Sequence, residues 1–238
     1  MKKKLLIITP TLLQGGGERV VSELSHVFAR HLHVVFVVFE KRVTYSHAGR
    51  VVSLEAPISQ QFFKRIFLFF VRFFRLKKVL LQERPDLVMS LGASAIILSI
   101  LAAKDPIVRV DTFIPATQRG VFGVAFKVLA FLLLRKAAML IAVSRAIGKS
   151  LESSFHVPAS KIHVIYNPVN TARIQELAQE SLTPEHAQFF CDPVVITAGR
   201  LAHEKGHHHL IRAFSRVKER IPAAKLLLVG DGELREKL

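Results

Sequence analysis

The chain has 238 residues, and its 34 lysines and arginines against 18 aspartates and glutamates leave a net charge of +16. Half of the residues are hydrophobic, which excludes a disordered chain, and Cys191 is the only cysteine, which excludes a disulfide scaffold. A surface this basic favours a polyanionic partner, but no zinc-finger spacing, RNP-like aromatic run or basic zipper is present, so nucleic acid is not the expected one.

The chain opens with three lysines and a short apolar run that mimic a signal peptide. Pro10 breaks that run and Gly15-Gly16-Gly17-Glu18 follows where a cleavage site would stand, so residues 5–9 read as a first strand. A glycine turn leads into a predicted helix over 18–30, then a strand over 34–39 and a third over 51–54. A long helix is predicted over 61–84. Residues 87–103 are uncharged, but Ser90, Gly92 and Ser94 divide them into a strand, a turn and a helix rather than a membrane span. A strand at 107–110, a helix at 122–135 and a strand at 138–143 follow. Ser144 reads as the N-cap of a helix to about residue 155, and a strand over 161–166 ends at Asn167-Pro168.

The stretch 171–192 is polar and is interrupted by Pro184, so it reads as a linker between a domain over 1–170 and a second over 193–238. There the pattern restarts: a strand at 194–198, a loop at 199–206, a helix at 210–220, a strand at 225–229 and the turn Gly230-Asp231-Gly232. Alternating helices and β-branched strands imply an α/β fold with parallel sheets.

Two loops carry candidate chemistry. Gly15-Gly16-Gly17 stands between a strand and a helix, where backbone N–H groups favour an anion. As a dinucleotide fingerprint it is poor, because Val20 stands where a third glycine or alanine is wanted. It fits a phosphate or sugar contact and fits a plain flexible loop. The second loop, Gly199-Arg200-Leu201-Ala202-His203-Glu204-Lys205-Gly206, leaves a strand and enters a helix. Arg200 offers a fork for phosphate oxygens and Lys205 a point charge, both at the strand's carboxyl end, where open α/β sheets bind ligands. His207, His208 and His209 are consecutive helical positions about 100° apart, which do not converge on a metal, and they read as surface histidines.

The segments Val194-Val-Ile-Thr-Ala-Gly-Arg-Leu, Glu204-Lys-Gly and Leu226-Leu-Leu-Val-Gly-Asp-Gly-Glu-Leu-Arg closely resemble the retaining family-4 glycosyltransferases of the GT-B fold. Gly15-Gly-Gly-Glu-Arg-Val-Val, Ile141-Ala-Val-Ser-Arg-Ala-Ile and Lys161-Ile-His-Val-Ile-Tyr-Asn-Pro-Val-Asn resemble the same family in the same order. The resemblance implies a complete N-terminal Rossmann-like, acceptor-side domain and the first part of a donor-side Rossmann-like domain. It implies a sugar donor linked to UDP or GDP, with Arg200 and Lys205 gripping the donor diphosphate. Gly16 and Gly17 would approach the phosphates or the sugar, and Gly230, Asp231 and Gly232 would line the donor side. Asp111 or Arg109 would take part in acceptor handling, with Asp111 the candidate catalytic group. No Asp-x-Asp occurs, so neither a metal nor a cofactor is expected. The family's later paired-glutamate motif is absent before Leu238, which predicts a truncated chain.

On the helix over 61–84, Lys64, Arg65, Arg72, Arg75 and Lys78 project to one side, and Phe63, Phe67, Phe70, Phe73 and Phe74 to the other. That profile predicts contact with an anionic membrane surface. The expectation is a cytoplasmic transferase, peripheral on the inner face of the plasma membrane, acting on a lipid-linked or polysaccharide acceptor. One rival is an inactive, membrane-associated binding protein. Another is a nicotinamide-binding Rossmann protein, with Glu40 as its ribose-binding acid.

Overall fold

The computed structural model describes residues 2–13, 15–59, 61–112 and 120–238, which fall into two compact units, Met1–Val169 and Asn170–Leu238. The first is a seven-stranded, all-parallel sheet. Its strands are β1 (Lys4–Thr9), β2 (His33–Val38), β3 (Arg50–Ser53), β4 (Leu87–Leu91), β5 (Ile107–Val110), β6 (Met139–Ala142) and β7 (Ile162–Val164). They lie in the order β3-β2-β1-β4-β5-β6-β7. The chain winds outward from β1 to β3, then returns to lay β4 along the other side of β1. The switch point of the topology is therefore the β1–β4 junction.

The crossovers are α1 (Gly16–His31), α2 (Phe62–Glu83), α3 (Ala93–Ala102), α4 (Gly120–Leu133) and α5 (Arg145–Phe155). Because helices cover both faces, β1 and β2 read as continuous apolar runs, and the pleat sorts their side chains. Leu5 and Ile7 pack with Phe36 and with Val21 of α1. Leu6 and Ile8 pack with Leu76 of α2 and Leu98 of α3 on the opposite face. Under α3, α4 and α5, Val108, Val110 and Leu140 form a third cluster with Ile97, Leu133 and Leu151. The Ser144 cap forms as expected, its side chain accepting from the Ile147 N–H at 3.2 Å.

The structure leaves Phe63, Phe67, Phe70 and Phe74 of α2 exposed, as the wheel reading has them, but draws other members of both predicted faces inward. Leu68, Arg72 and Leu76 are buried, and Phe69 and Phe73 pack inward. Arg72 donates from Nε to the Ala56 carbonyl at 2.9 Å and from Nη2 to the Pro57 carbonyl at 2.6 Å. Its guanidinium also lies 4.5 Å from the centre of the Phe39 ring. Arg75 donates to the Leu54 and Glu55 carbonyls at 2.6 and 2.9 Å. These two cations answer loop carbonyls that would otherwise lack donors. Arg72, Arg75 and Phe73 are thus structural, which corrects their assignment to a membrane face. Phe70, Lys64 and Arg65 remain on the exposed surface. Among the described residues no helix is long and apolar enough to cross a membrane.

At its far end α2 is tied to the sheet by Glu83, which pairs with Arg50 of β3 and, at 3.1 Å, with Lys4 of β1. Hydrogen bonds from Arg50 first and Lys4 second hold the Glu83 carboxyl below its ordinary value. A depressed carboxylate adds stability above its unfolded pKa, and that stability is lost as the pH falls through the folded value. Because Arg50 is largely solvated, the contribution is about 1 kcal/mol at most. Denaturant midpoints compared at neutral and acid pH should therefore fall less in Glu83→Gln than in the parent. An equal fall in both would contradict this role.

The second unit is one β-α-β crossover: β8 (Val194–Ala198), α8 (His207–Arg220) and β9 (Lys225–Val229), with the two strands parallel. A two-stranded sheet buries little of itself, and Ile196 and Val229 remain exposed. The stretch expected as a linker is not featureless. It forms α6 (Thr171–Leu177) and α7 (Pro184–Phe189) and groups with the second unit. Asn170 caps the first through the Arg173 N–H, and Thr183 caps the second through the His186 N–H with Pro184 in its first turn.

Candidate functional site

In the first unit the candidate groups gather at the carboxyl edge of the sheet, around the switch point where open α/β sheets bind ligands. The loop leaving β1 is pinned rather than slack. Leu12 is fully buried and exchanges backbone hydrogen bonds with Arg42 and Thr44, at 3.1 and 3.0 Å. The loop delivers Gly15 as the N-cap of α1, without a side-chain cap. Beside it, Gly92 ends β4 with φ +82 and caps α3. A side chain on Gly92 would be strained by that backbone and would reach 3.0 Å from Pro10.

The three glycines are not equivalent. The Glu18 carboxylate folds back over Gly15, so that a Cβ there would stand 2.0 Å from its Oε2. A Cβ on Gly17 would stand 2.3 Å from the Asp111 Oδ2. Two carboxylates therefore sit where the α1 N-terminus attracts negative charge. No described residue comes within 4 Å of the Cβ position of Gly16. Among the described residues, Asp111 and Arg109 crowd Gly17 and no side chain crowds Gly16.

Asp111 belongs to a connected group. Its Oδ2 accepts from the Arg109 Nη1 at 3.2 Å and its Oδ1 from the Thr112 hydroxyl at 3.1 Å. The Arg109 Nη2 donates to the Asn167 Oδ1 at 2.7 Å. Arg109 is only 4% exposed, so Asp111 is the counter-charge of a buried cation. Asp111→Asn should lower stability by about 2–3 kcal/mol, because it leaves Arg109 uncompensated. Adding Arg109→Met should recover part of that loss, and a denaturant double-mutant cycle measures the coupling. A strand Arg and an Asp two positions on share one face, so the sequence already held a signal for this pair. Asn167, 58 residues away along the chain, gave none.

Glu40 is bound to Arg42, Oε1 accepting from Nε at 2.8 Å, rather than standing ready for a ribose.

In the second unit the 199–206 loop is laced to the turn after β9. The Gly199 N–H donates to the Val229 carbonyl and the Leu201 N–H to the Asp231 carbonyl, both at 2.9 Å. The Leu234 N–H donates to the Leu201 carbonyl at 3.0 Å. A Cβ on Gly230 would fall 1.9 Å from the Gly199 carbonyl oxygen, and one on Gly232 would fall 2.4 Å from that of Leu201. These glycines therefore let the two loops touch backbone to backbone.

Arg200 and Lys205 both lie on this loop. Arg200 is exposed and its Nη2 pairs with Glu204. The Lys205 Cε lies 4.0 Å from where a Cβ on Gly199 would stand. Glu204's carboxyl is held below its ordinary value by its own backbone hydrogen bond first and by Arg200 second. Glu204 thus pairs with the guanidinium that the sequence offers to a phosphate, a contact its spacing alone does not announce. Asp231 is exposed, with Oδ1 accepting from the Gly232 N–H at 2.8 Å and 3.7 Å from the Arg235 Nη1.

The histidine run is also corrected. His207, in the first turn of α8, is buried, with no hydrogen-bond partner at Nδ1 among the described residues. His208 and His209 are exposed, with ring centroids 3.9 Å apart. Local desolvation first, then His209, Arg212 and His203, pull the His208 pKa down. Among the described residues no three His, Cys, Asp or Glu side chains gather as a metal-binding group.

The family model described as Glycosyltransferase Family 4 matches residues 14–173, and that described as Glycosyl transferases group 1 matches residues 174–238. The chain is 23% identical over 252 aligned residues to N-acetylgalactosamine-N,N'-diacetylbacillosaminyl-diphospho-undecaprenol 4-alpha-N-acetylgalactosaminyltransferase of Campylobacter jejuni, covering 99% of this chain and 65% of that protein. It is 39% identical over 79 residues to the lipopolysaccharide core biosynthesis glycosyltransferase LpsE of Rhizobium meliloti, covering 33% of this chain and 21% of that one. Among solved structures, Anabaena Alr3699/HepE in complex with UDP and glucose aligns with a TM-score of 0.67 at 18% identity. That alignment covers 99% of this chain and 63% of that one. The likeness shows an α/β fold of the GT-B type. The chain spans less than two thirds of the length of each of these relatives.

Proposed function

We propose that the chain, which belongs to Glycosyltransferase Family 4, moves a sugar from a nucleotide-sugar donor to a lipid-linked or polysaccharide acceptor with retention of anomeric configuration. The observation that carries this reading is the 199–206 loop, which holds Arg200 and Lys205 at the carboxyl end of β8 and the start of α8. A nucleoside diphosphate is the anion that such a pair of fixed cations and a helix N-terminus suit.

In the proposed step the acceptor hydroxyl oxygen bonds to the anomeric carbon as the bond from that carbon to the diphosphate oxygen breaks. The bonding pair leaves with the nucleoside diphosphate, and the hydroxyl proton passes to its departing oxygen. Arg200 and Lys205 stabilise the charge that develops there. With these cations and backbone N–H groups available, the proposal gives no role to a metal. Gly230 and Gly232 hold the loop in shape, and Asp231 flanks it. On the first unit, Gly16 offers an approach to a phosphate or sugar, and Asp111 acts through Arg109 rather than as an isolated base.

UDP or GDP is the proposed carrier, and a hexose or N-acetylhexosamine the proposed sugar. The relatives named for a polyprenyl-diphosphate sugar and for lipopolysaccharide core support a lipid-linked acceptor. The inner face of the plasma membrane is the proposed place of action. Incubating the protein with UDP- and GDP-sugars and an undecaprenyl-diphosphate-linked acceptor tests the reading. The expected product keeps the donor's anomeric configuration by NMR. Diphosphate binding without transfer would favour the inactive binding protein instead.

A further inference from the structure

The third core cluster is not filled. A slot opens in it between α3 and α4. Ala93, Ile96, Ile97 and Ile100 share one face of α3 and line it, and Ala130 and Leu133 line it from α4. As crossover helices of a parallel sheet, both start at its carboxyl edge. Ala93, Asp111 and Thr112 therefore mark the end of the slot that lies beside Gly92, and Ile100 marks the other end. Among the described residues, Asp111 and Thr112 are its only polar lining.

Size and lining decide what suits this space. Its volume is about 30 Å³, roughly twice the 10–15 Å³ that one water needs. A buried water also needs about two to four polar partners, and beyond Asp111 and Thr112 the described walls are aliphatic. A sugar ring or a prenyl chain is too large. A group of about two carbon atoms is the apolar occupant that fits.

The polar end has a defined hydrogen-bonding sense. The Asp111 side chain is 25% exposed. Its Oδ2 accepts from Arg109 and its Oδ1 from Thr112. A carboxylate has about four lone-pair sites, so acceptor capacity remains for an incoming N–H. An anion would be repelled there, and a cation would meet a carboxylate that Arg109 already neutralises. A neutral N–H joined to a short apolar group answers both ends at once, and an acylated amine has that structure.

We propose that the slot receives the N-acyl group of an amino sugar in the acceptor, with its methyl among Ile96, Ile97 and Leu133 and its N–H donating to the Asp111 carboxylate. This rests on the acceptor reading proposed above, but sugar binding does not require transfer.

Titrating the isotope-labelled full chain with the methyl glycosides of N-acetylglucosamine and N-acetylgalactosamine, beside those of glucose and galactose, tests the proposal through the isoleucine methyl resonances. At least one N-acetyl glycoside should move the Ile96 and Ile97 signals. It should bind at least about tenfold more tightly than its hydroxyl counterpart. Ile97→Ala enlarges the slot and should shift the preference from the N-acetyl to the N-butanoyl glycoside by about tenfold. The comparison of sugars on the parent stands even where that variant does not fold. Equal affinity for N-acetyl and hydroxyl glycosides would overturn the proposal. So would unmoved isoleucine signals up to the solubility of the sugars, or a folded Ile97→Ala chain that keeps the parent's preference. N-acyl-selective binding by a chain that transfers no sugar would keep the slot and overturn the transfer reading. Equal transfer onto hydroxyl and N-acyl acceptors would do the reverse.

Discussion

Replacing Arg200 and Lys205 together by alanine is expected to weaken nucleoside diphosphate binding by about a hundredfold or more, since each hydrogen bond to a charged group contributes about 1.5–3 kcal/mol. Both side chains lie on an exposed loop, and Arg200 pairs with Glu204. The fold should therefore be nearly indifferent to the change, within about 0.5 kcal/mol in a denaturant melt. Arg200→Ala alone also leaves the Glu204 carboxylate facing the incoming phosphate without its partner. Glu204→Gln should act in the opposite sense and tighten binding, because it releases Arg200 without removing it. Equilibrium dialysis across the four proteins separates these effects. Equal affinity in the parent and the double variant would show that these cations do not form the phosphate grip.

Gly230→Ala is expected to cost the second unit about 3 kcal/mol or more. The new Cβ would fall 1.9 Å from the Gly199 carbonyl oxygen, and a backbone atom cannot swing aside as a long side chain can. The φ of +152 at this position adds strain for any side chain. The two loops would have to part, breaking the hydrogen bonds between Leu201 and Asp231 and between Leu234 and Leu201. The 199–206 loop would lose its support, so diphosphate binding should fall together with stability. Hydrogen exchange should speed up across residues 194–234 while β1 and β2 keep their protection. Gly16→Ala is the contrasting case, with no described residue within 4 Å of its Cβ position, and should change stability little. Normal exchange in Gly230→Ala would contradict the lacing of the two loops.

Much of this architecture was legible because β1, β2 and β4 are covered on both faces and so write themselves as apolar runs. The α2 boundaries were equally plain, since Gln61 precedes the run and Pro85 follows it. Its orientation was not. With seven phenylalanines on a helix that also carries six basic residues, a wheel shows two faces but not which one the sheet takes. The loop carbonyls of Ala56 and Pro57 decide it by drawing Arg72 inward, and they are invisible until the chain folds. In the stretch 171–192 the polarity hides two short helices, although their caps, Asn170 and Thr183, are both present in the sequence.

At the candidate site, Arg200 and Lys205 stood out because a strand end and a helix start frame them. Glu204 lies between them in sequence, but its pairing with Arg200 depends on the short 3-10 turn His203–Lys205. The sequence offers Asp111 and Arg109 as alternatives, whereas the structure joins them in one group that Asn167 completes. The difference between Gly16 and Gly17 likewise arises from β5, far along the chain, and no local pattern could express it.

Calorimetric titration of this chain with UDP, GDP and ADP, beside NAD, tests the central claim most directly. The account predicts saturable binding of at least one nucleoside diphosphate, weakened by salt, and no comparable binding of NAD. A demonstrably folded protein that bound none of the three diphosphates, or that bound NAD in preference to them, would contradict it.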